Sequence, residues 1–174
     1  MRNFSLAEVS RRLGVTVAAP YRHFSDRDDL LAAVAVRALG VFAATLAATA
    51  SETDDPAQRL AAMARAYIRF AAEQRPLFDA VNGSGLDKHR YPDLLHAYEA
   101  VDRVLNDAVR EVCGPDEAVA EALGQALEVT AYGFAMFLAD GDFGTGPDVV
   151  QRTAERAARA TLALIAGRQA LIGP

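Results

Sequence analysis

Residues 5–24 run Ser5-Leu6-Ala7-Glu8-Val9-Ser10-Arg11-Arg12-Leu13-Gly14-Val15-Thr16-Val17-Ala18-Ala19-Pro20-Tyr21-Arg22-His23-Phe24. Ser5 and Glu8 have the S-x-x-E spacing of a capping box, and Gly14 follows the apolar residues Leu6, Val9 and Leu13 as a glycine follows a helix end. This predicts a short helix over residues 6–12. Thr16 is placed to cap a second helix running to about His23, with Pro20 in its first turn, where a missing N–H does least harm. Two short helices joined through a glycine turn have the layout of a helix-turn-helix, whose second helix offers its N-terminal residues to the DNA major groove. Spacing alone does not decide the matter, because helical hairpins with a glycine turn occur in many proteins.

Outward from this stretch the pattern stays helical. The chain holds 37 alanines and almost no β-branched runs, which favours helix because alanine loses no side-chain entropy there. Ser25 with Asp28 opens a long element to about Ala50, with Leu30, Leu31, Val34, Leu39 and Phe42 available to its buried face. Prolines mark the later starts: helices are expected over 56–74, 76–82, 92–113, 115–140 and 147–166, with a polar loop at 83–90. The fold class is therefore all-α, about eight helices, with a head over residues 1–37 and a second domain over 38–174. Look-alikes of catalytic motifs within 141–146 lack a preceding strand and a phosphate lysine, so they carry no chemistry.

A longer signature includes the opening stretch: Phe4-Ser5-Leu6, Val9-Ser10, Leu13-Gly14-Val15-Thr16, then Pro20-Tyr21-Arg22-His23-Phe24, Arg27 and Leu30-Leu31. It resembles the TetR (tetracycline-repressor) family of transcriptional regulators. The alanines and proline before Tyr21, with Tyr67-Ile68, Phe70-Ala71 and Pro76-Leu77-Phe78, resemble the subgroup whose C-terminal half is called the WHG domain. Two departures stand out. The family's first helix precedes the position of Phe4, and a sequence beginning at Met1 is expected to lack it. Glu128 and Tyr132 stand where the subgroup's Trp and His fall, while Gly133 remains.

The resemblance implies a ligand-responsive regulator, a repressor that binds double-stranded operator DNA as a homodimer. Thr16, Val17 and Ala18 would lie nearest the base edges, their small side chains suited to thymine methyls. Arg22 would reach a base or a phosphate, and Tyr21, His23 and Arg27 match positions that grip phosphates. Each has a plainer alternative: Tyr21 packs with Phe24, Arg27 pairs with Asp28 or Asp29, and His23 is a solvated histidine. An unidentified small-molecule effector would sit among the central helices, with Met63, Tyr67, Phe70, Phe78, His96, Tyr98, Tyr132, Met136 and Phe137 as candidate walls. The dimer is expected to use helices 115–140 and 147–166, through Ala118, Ala122, Ala126 and Leu127 on one and Ala154, Ala157, Ala158, Thr161 and Ile165 on the other.

Composition sets the remaining bounds. A chain of 174 residues buries roughly 70% of its extended surface, enough for a sizeable core without staples. The lone Cys113 excludes an internal disulfide and fits the cytoplasm. Net charge is −5, yet residues 1–37 hold six arginines against four acids and leave −7 for the remainder, so only the N-terminal segment suits DNA. The apolar run over 30–50 contains Arg37 and nine alanines, which reads as a core helix rather than a membrane span. No catalytic residue, cofactor or metal is expected: Ser84 lacks the strand-to-helix setting of a nucleophile elbow, and His96 with Glu99 falls short of a zinc ligand set. The rival reading is a dimeric small-molecule-binding module that has lost DNA binding through N-terminal truncation.

Overall fold

The computed structural model describes residues 5–83 and 85–173, so Phe4 and Ser84 lie outside the described residues. Those described form seven α-helices and no strand: α1 (Leu6–Leu13), α2 (Arg27–Ala50), α3 (Pro56–Glu73), α4 (Arg75–Asn82), α5 (Pro92–Cys113), α6 (Glu117–Asp140) and α7 (Val149–Ala166). The all-helical class read from the sequence is the fold observed.

Helix ends follow from local chemistry. The Ser5 hydroxyl accepts from the Glu8 amide at 3.2 Å, while the Glu8 carboxylate turns away to Arg12 at 2.8 Å, so only half of the expected capping box forms. Gly14 ends α1 with φ +68°, a left-handed conformation that costs glycine nothing, and Val15 N–H returns to the Ser10 carbonyl at 3.0 Å. The cap of α2 is Asp26 rather than Ser25: its carboxylate accepts from the Asp29 amide at 2.9 Å, and the Asp29 carboxylate accepts from the Ser25 amide at 2.9 Å. Asp55 caps α3 through the amides of Ala57 and Gln58, with Pro56 at the first helical position.

One expected helix does not form. Residues 17–19 make a turn and Pro20–Arg22 a 3-10 turn, in place of an α-helix over 16–23. In a helix starting after Thr16, residue 20 is the first whose N–H must bond back to the Thr16 carbonyl, and proline has none. The Ala19 amide takes that carbonyl instead, at 3.0 Å, which tightens the turn.

Helix α3 is the centre of the core. It packs against α2, α5, α6 and α7, and its Ala61 and Ile68 are fully buried. The contact with α7 is built from alanines, whose small side chains let two helix backbones approach closely. Ala154, Ala157, Ala158, Thr161 and Ile165 are all buried there, which corrects the expectation that this stripe faces a second copy. The bond from Arg65 to Glu155 at 3.0 Å and that from Arg69 to Gln151 at 3.1 Å flank the contact. Arg59 pairs with Glu111 across α3 and α5. Helices α2 and α6 are long and apolar enough to cross a membrane by length and composition, but Leu31, Ala35, Leu39, Phe42 and Leu46 of α2 are buried within the protein.

Candidate functional site

Two candidate sites lie along α2. At its N-terminal end, the turn after α1 exposes a short row of side chains. Thr16, Ala18, Arg22 and His23 are exposed, Val17 is 48% exposed and Tyr21 is 55% exposed. Tyr21 therefore does not take the packed alternative, whereas Arg27 does take its ionic one, donating to the Asp28 carboxylate at 3.0 Å from a half-buried position. The row is held by Gly14, which turns the chain, and by the Phe24 amide bonding to the Pro20 carbonyl at 2.9 Å. Small side chains, a phenol and an arginine on one exposed turn can contact base edges and phosphates.

In its middle, α2 walls a partly open cavity of about 170 Å³ together with α3, α4, α5, α6 and α7. Six of the nine expected wall residues line it: Met63, Tyr67, Phe70, Phe78, Tyr98 and Tyr132. The other three do not. His96 is exposed and, two residues from Tyr98, lies about 200° round α5. Phe137, 54% exposed and five residues past Tyr132, stands about 140° round α6, where it stacks on Phe143 at 5.8 Å. Met136 shares the side of Tyr132 but sits one turn farther on, partly buried against the core. Among the described residues no group of three or more His, Cys, Asp or Glu could hold a metal ion.

Sequence reasoning missed the walls supplied by α2, namely Leu39, Phe42 and Leu46, and the two acids Asp102 and Glu128. Phe42 was legible as buried, but burial does not distinguish core from cavity wall. Glu128 carried a signal: it stands four residues before Tyr132, so both share one face of α6.

The deep end is aromatic. Tyr67 sets its ring edge-on to Phe42 at 5.2 Å and to Phe78 at 6.0 Å, and Phe42 also meets Phe70 at 4.9 Å. Burial raises the Tyr67 pKa well above a free phenol's, and the Glu128 carboxylate and the phenols of Tyr132 and Tyr98 raise it further, so this hydroxyl stays protonated. Tyr98 donates to the Val81 carbonyl at 3.3 Å, and burial and Asp102 raise its pKa too. Burial raises the Asp102 pKa, opposed by Lys88 and reinforced by Glu99. The Lys88 ammonium rides over the Tyr98 ring at 5.1 Å. Such a pocket, apolar within and polar at its mouth, suits a small organic ligand.

Comparison with known proteins places this architecture. Residues 1–34 match the family model described as bacterial regulatory proteins, tetR family. Residues 60–161 match the model described as tetracyclin repressor-like, C-terminal domain. No curated protein sequence matches the chain. Among solved structures, a protein of unknown function from Rhodococcus sp. RHA1 is 28% identical, with a TM-score of 0.71 over 90% of this chain and 84% of that one. The TetR family transcriptional regulator PfmR from Thermus thermophilus is similar in fold at 22% identity, with a TM-score of 0.68 over 93% of this chain and 87% of that one.

Proposed function

The chain belongs to the TetR family of transcriptional regulators, and from that premise we propose that it is a ligand-responsive repressor, binding operator DNA as a homodimer in the cytoplasm and releasing it when a small effector fills the cavity. The observation that carries this reading is the continuity of α2. One unbroken helix begins at Arg27, beside the exposed row, and supplies Leu39, Phe42 and Leu46 to the cavity wall. A ligand that moves Phe42 therefore acts on a rod whose other end carries the head. Such a ligand shifts the DNA-binding equilibrium only if it binds the two arrangements with different affinity.

In this reading residues 1–37 are the DNA-binding unit and 38–174 the effector and dimer unit. Thr16, Val17 and Ala18 meet base edges, Tyr21, His23 and Arg27 grip phosphates, and Arg22 serves either. Met63, Tyr67, Phe70, Phe78, Tyr98 and Tyr132 receive the effector. Regulators of this family are generally not enzymes, and no catalytic step is assigned to this chain. One short recognition segment touches too few bases for useful specificity, which is the reason for a dimer. The outer face of α6 and α7 supports it: Val129 is 70% exposed and Phe137 54%, beside a shallow apolar groove lined by Thr130, Ala160, Ala163 and Leu164.

The 3-10 turn at Pro20–Arg22 favours a second reading, a dimeric ligand-binding module without DNA reading, because a regular recognition helix is missing from the described residues. A mobility-shift titration against the DNA flanking the protein's own coding region separates the two. Retardation at low salt that Tyr21→Ala with Arg22→Ala weakens supports the repressor; no retardation at any salt leaves the module.

A further inference from the structure

We infer that the cavity selects a small ligand that joins an apolar ring to a cationic nitrogen, with the Glu128 carboxylate and the phenols of Tyr67 and Tyr132 receiving the charge. The inference rests on reading this cavity as the effector site and adds the chemical class of the effector. Its lining holds two carboxylates, Asp102 and Glu128, three phenols, and no Lys, Arg or His among the described residues. An anionic ligand would meet like charge, with no cation on the lining itself to neutralise it. A cation meets the opposite: aromatic faces whose quadrupole attracts positive charge, and carboxylates able to accept charge-assisted hydrogen bonds.

The two acids are not equivalent. Lys88, riding over the Tyr98 ring, offsets Asp102. Neither acid enters an ion pair among the described residues, but Glu128 has no cation set beside it as Asp102 has Lys88, and it lies exposed at the edge of the cavity, four residues from Tyr132 on the same face of α6. Glu128 is therefore the acid that a ligand's charge would neutralise. The Tyr67 hydroxyl, which feels the Glu128 charge, stays protonated and keeps oxygen lone pairs able to accept from the same cation. Behind it Phe42, Phe70, Phe78, Leu60 and Met63 form the apolar end. A volume of about 170 Å³ is close to that of a dry engineered cavity, roughly 150 Å³, that holds benzene, so one ring with a short arm fits.

Isothermal titration of the full chain with phenethylammonium, phenethyl alcohol and phenylacetate tests this, because the three share a ring and differ mainly in charge. The ammonium is expected to bind about tenfold more tightly than the alcohol, and the carboxylate more weakly than either. Glu128→Gln should bring the ratio of ammonium to alcohol affinity toward one, while Glu121→Gln, on an exposed part of α6 outside the cavity, retains it. Unchanged circular dichroism shows that both variants fold. Alcohol binding as tightly as ammonium, or a Glu128 variant that keeps the native ratio, overturns the inference and leaves the effector cavity standing. Absence of binding by all three overturns the cavity reading as well.

Discussion

Arg27 is the first residue of α2, where backbone N–H groups attract an anion, yet its guanidinium holds the Asp28 carboxylate at 3.0 Å in the free protein. A DNA phosphate must compete with that carboxylate. Arg27→Ala is expected to weaken binding about equally on all sequences and to lower the slope of log affinity against log salt by about 1, read from anisotropy titrations. Asp28→Asn should act in reverse, tightening binding severalfold at low salt with the gain fading as salt screens the charge. If neither variant moves the salt slope, Arg27 does not contact phosphate. Gly14 belongs to the same scale: a Cβ there meets nothing within 4 Å, but φ is +68°. Gly14→Ala should therefore cost about 1 kcal/mol through backbone strain alone, visible as a lower urea midpoint.

Among the elements, the helices whose signals are local were legible. Ser5 and Gly14 bound α1, and Pro56 and Pro92 open α3 and α5 where proline's missing N–H costs nothing. The recognition segment was not, since the cost of Pro20 depends on which residue caps: three places earlier it would be harmless, and at the fourth helical position it deletes the first ladder bond. Pro20→Ala restores that donor, so the amides of residues 20 and 21 should gain protection from hydrogen exchange as the turn becomes α-helix. Unchanged exchange would assign the turn to Val17 and Ala18 instead. The small-residue stripe of α7 was legible as a contact face, but nothing in its spacing says whether the partner is α3 or another chain. Ala158→Leu, at a fully buried position, should destabilise the fold by about 1–3 kcal/mol through overpacking. A variant of native stability that dissociates a dimer would return this stripe to an intersubunit role. The cavity divided likewise: helical spacing brought six aromatic and methionine walls within reach, while the α2 walls and the acids needed tertiary packing to reveal them.

For the whole molecule, the proposal joins three properties that a single helix connects, namely a head that reads DNA, a cavity that takes an effector, and a face that pairs two copies. Val129→Glu puts a charge on the exposed face of α6 without touching the core. Light scattering is expected to give a dimer for the native chain and a monomer of unaltered helical content for the variant, and a native monomer would remove the paired-head account. Two heads held about 34 Å apart read half-sites one helical turn apart, so the operator should carry the protein's own two-fold symmetry. Selection of random-sequence duplex DNA by the native protein tests this most directly. Enrichment of an inverted repeat with half-site centres about 10 base pairs, or a multiple of that, apart is expected, with release when effector is added. No enrichment at low salt, or enrichment of a single unrepeated site that effector leaves bound, would contradict it.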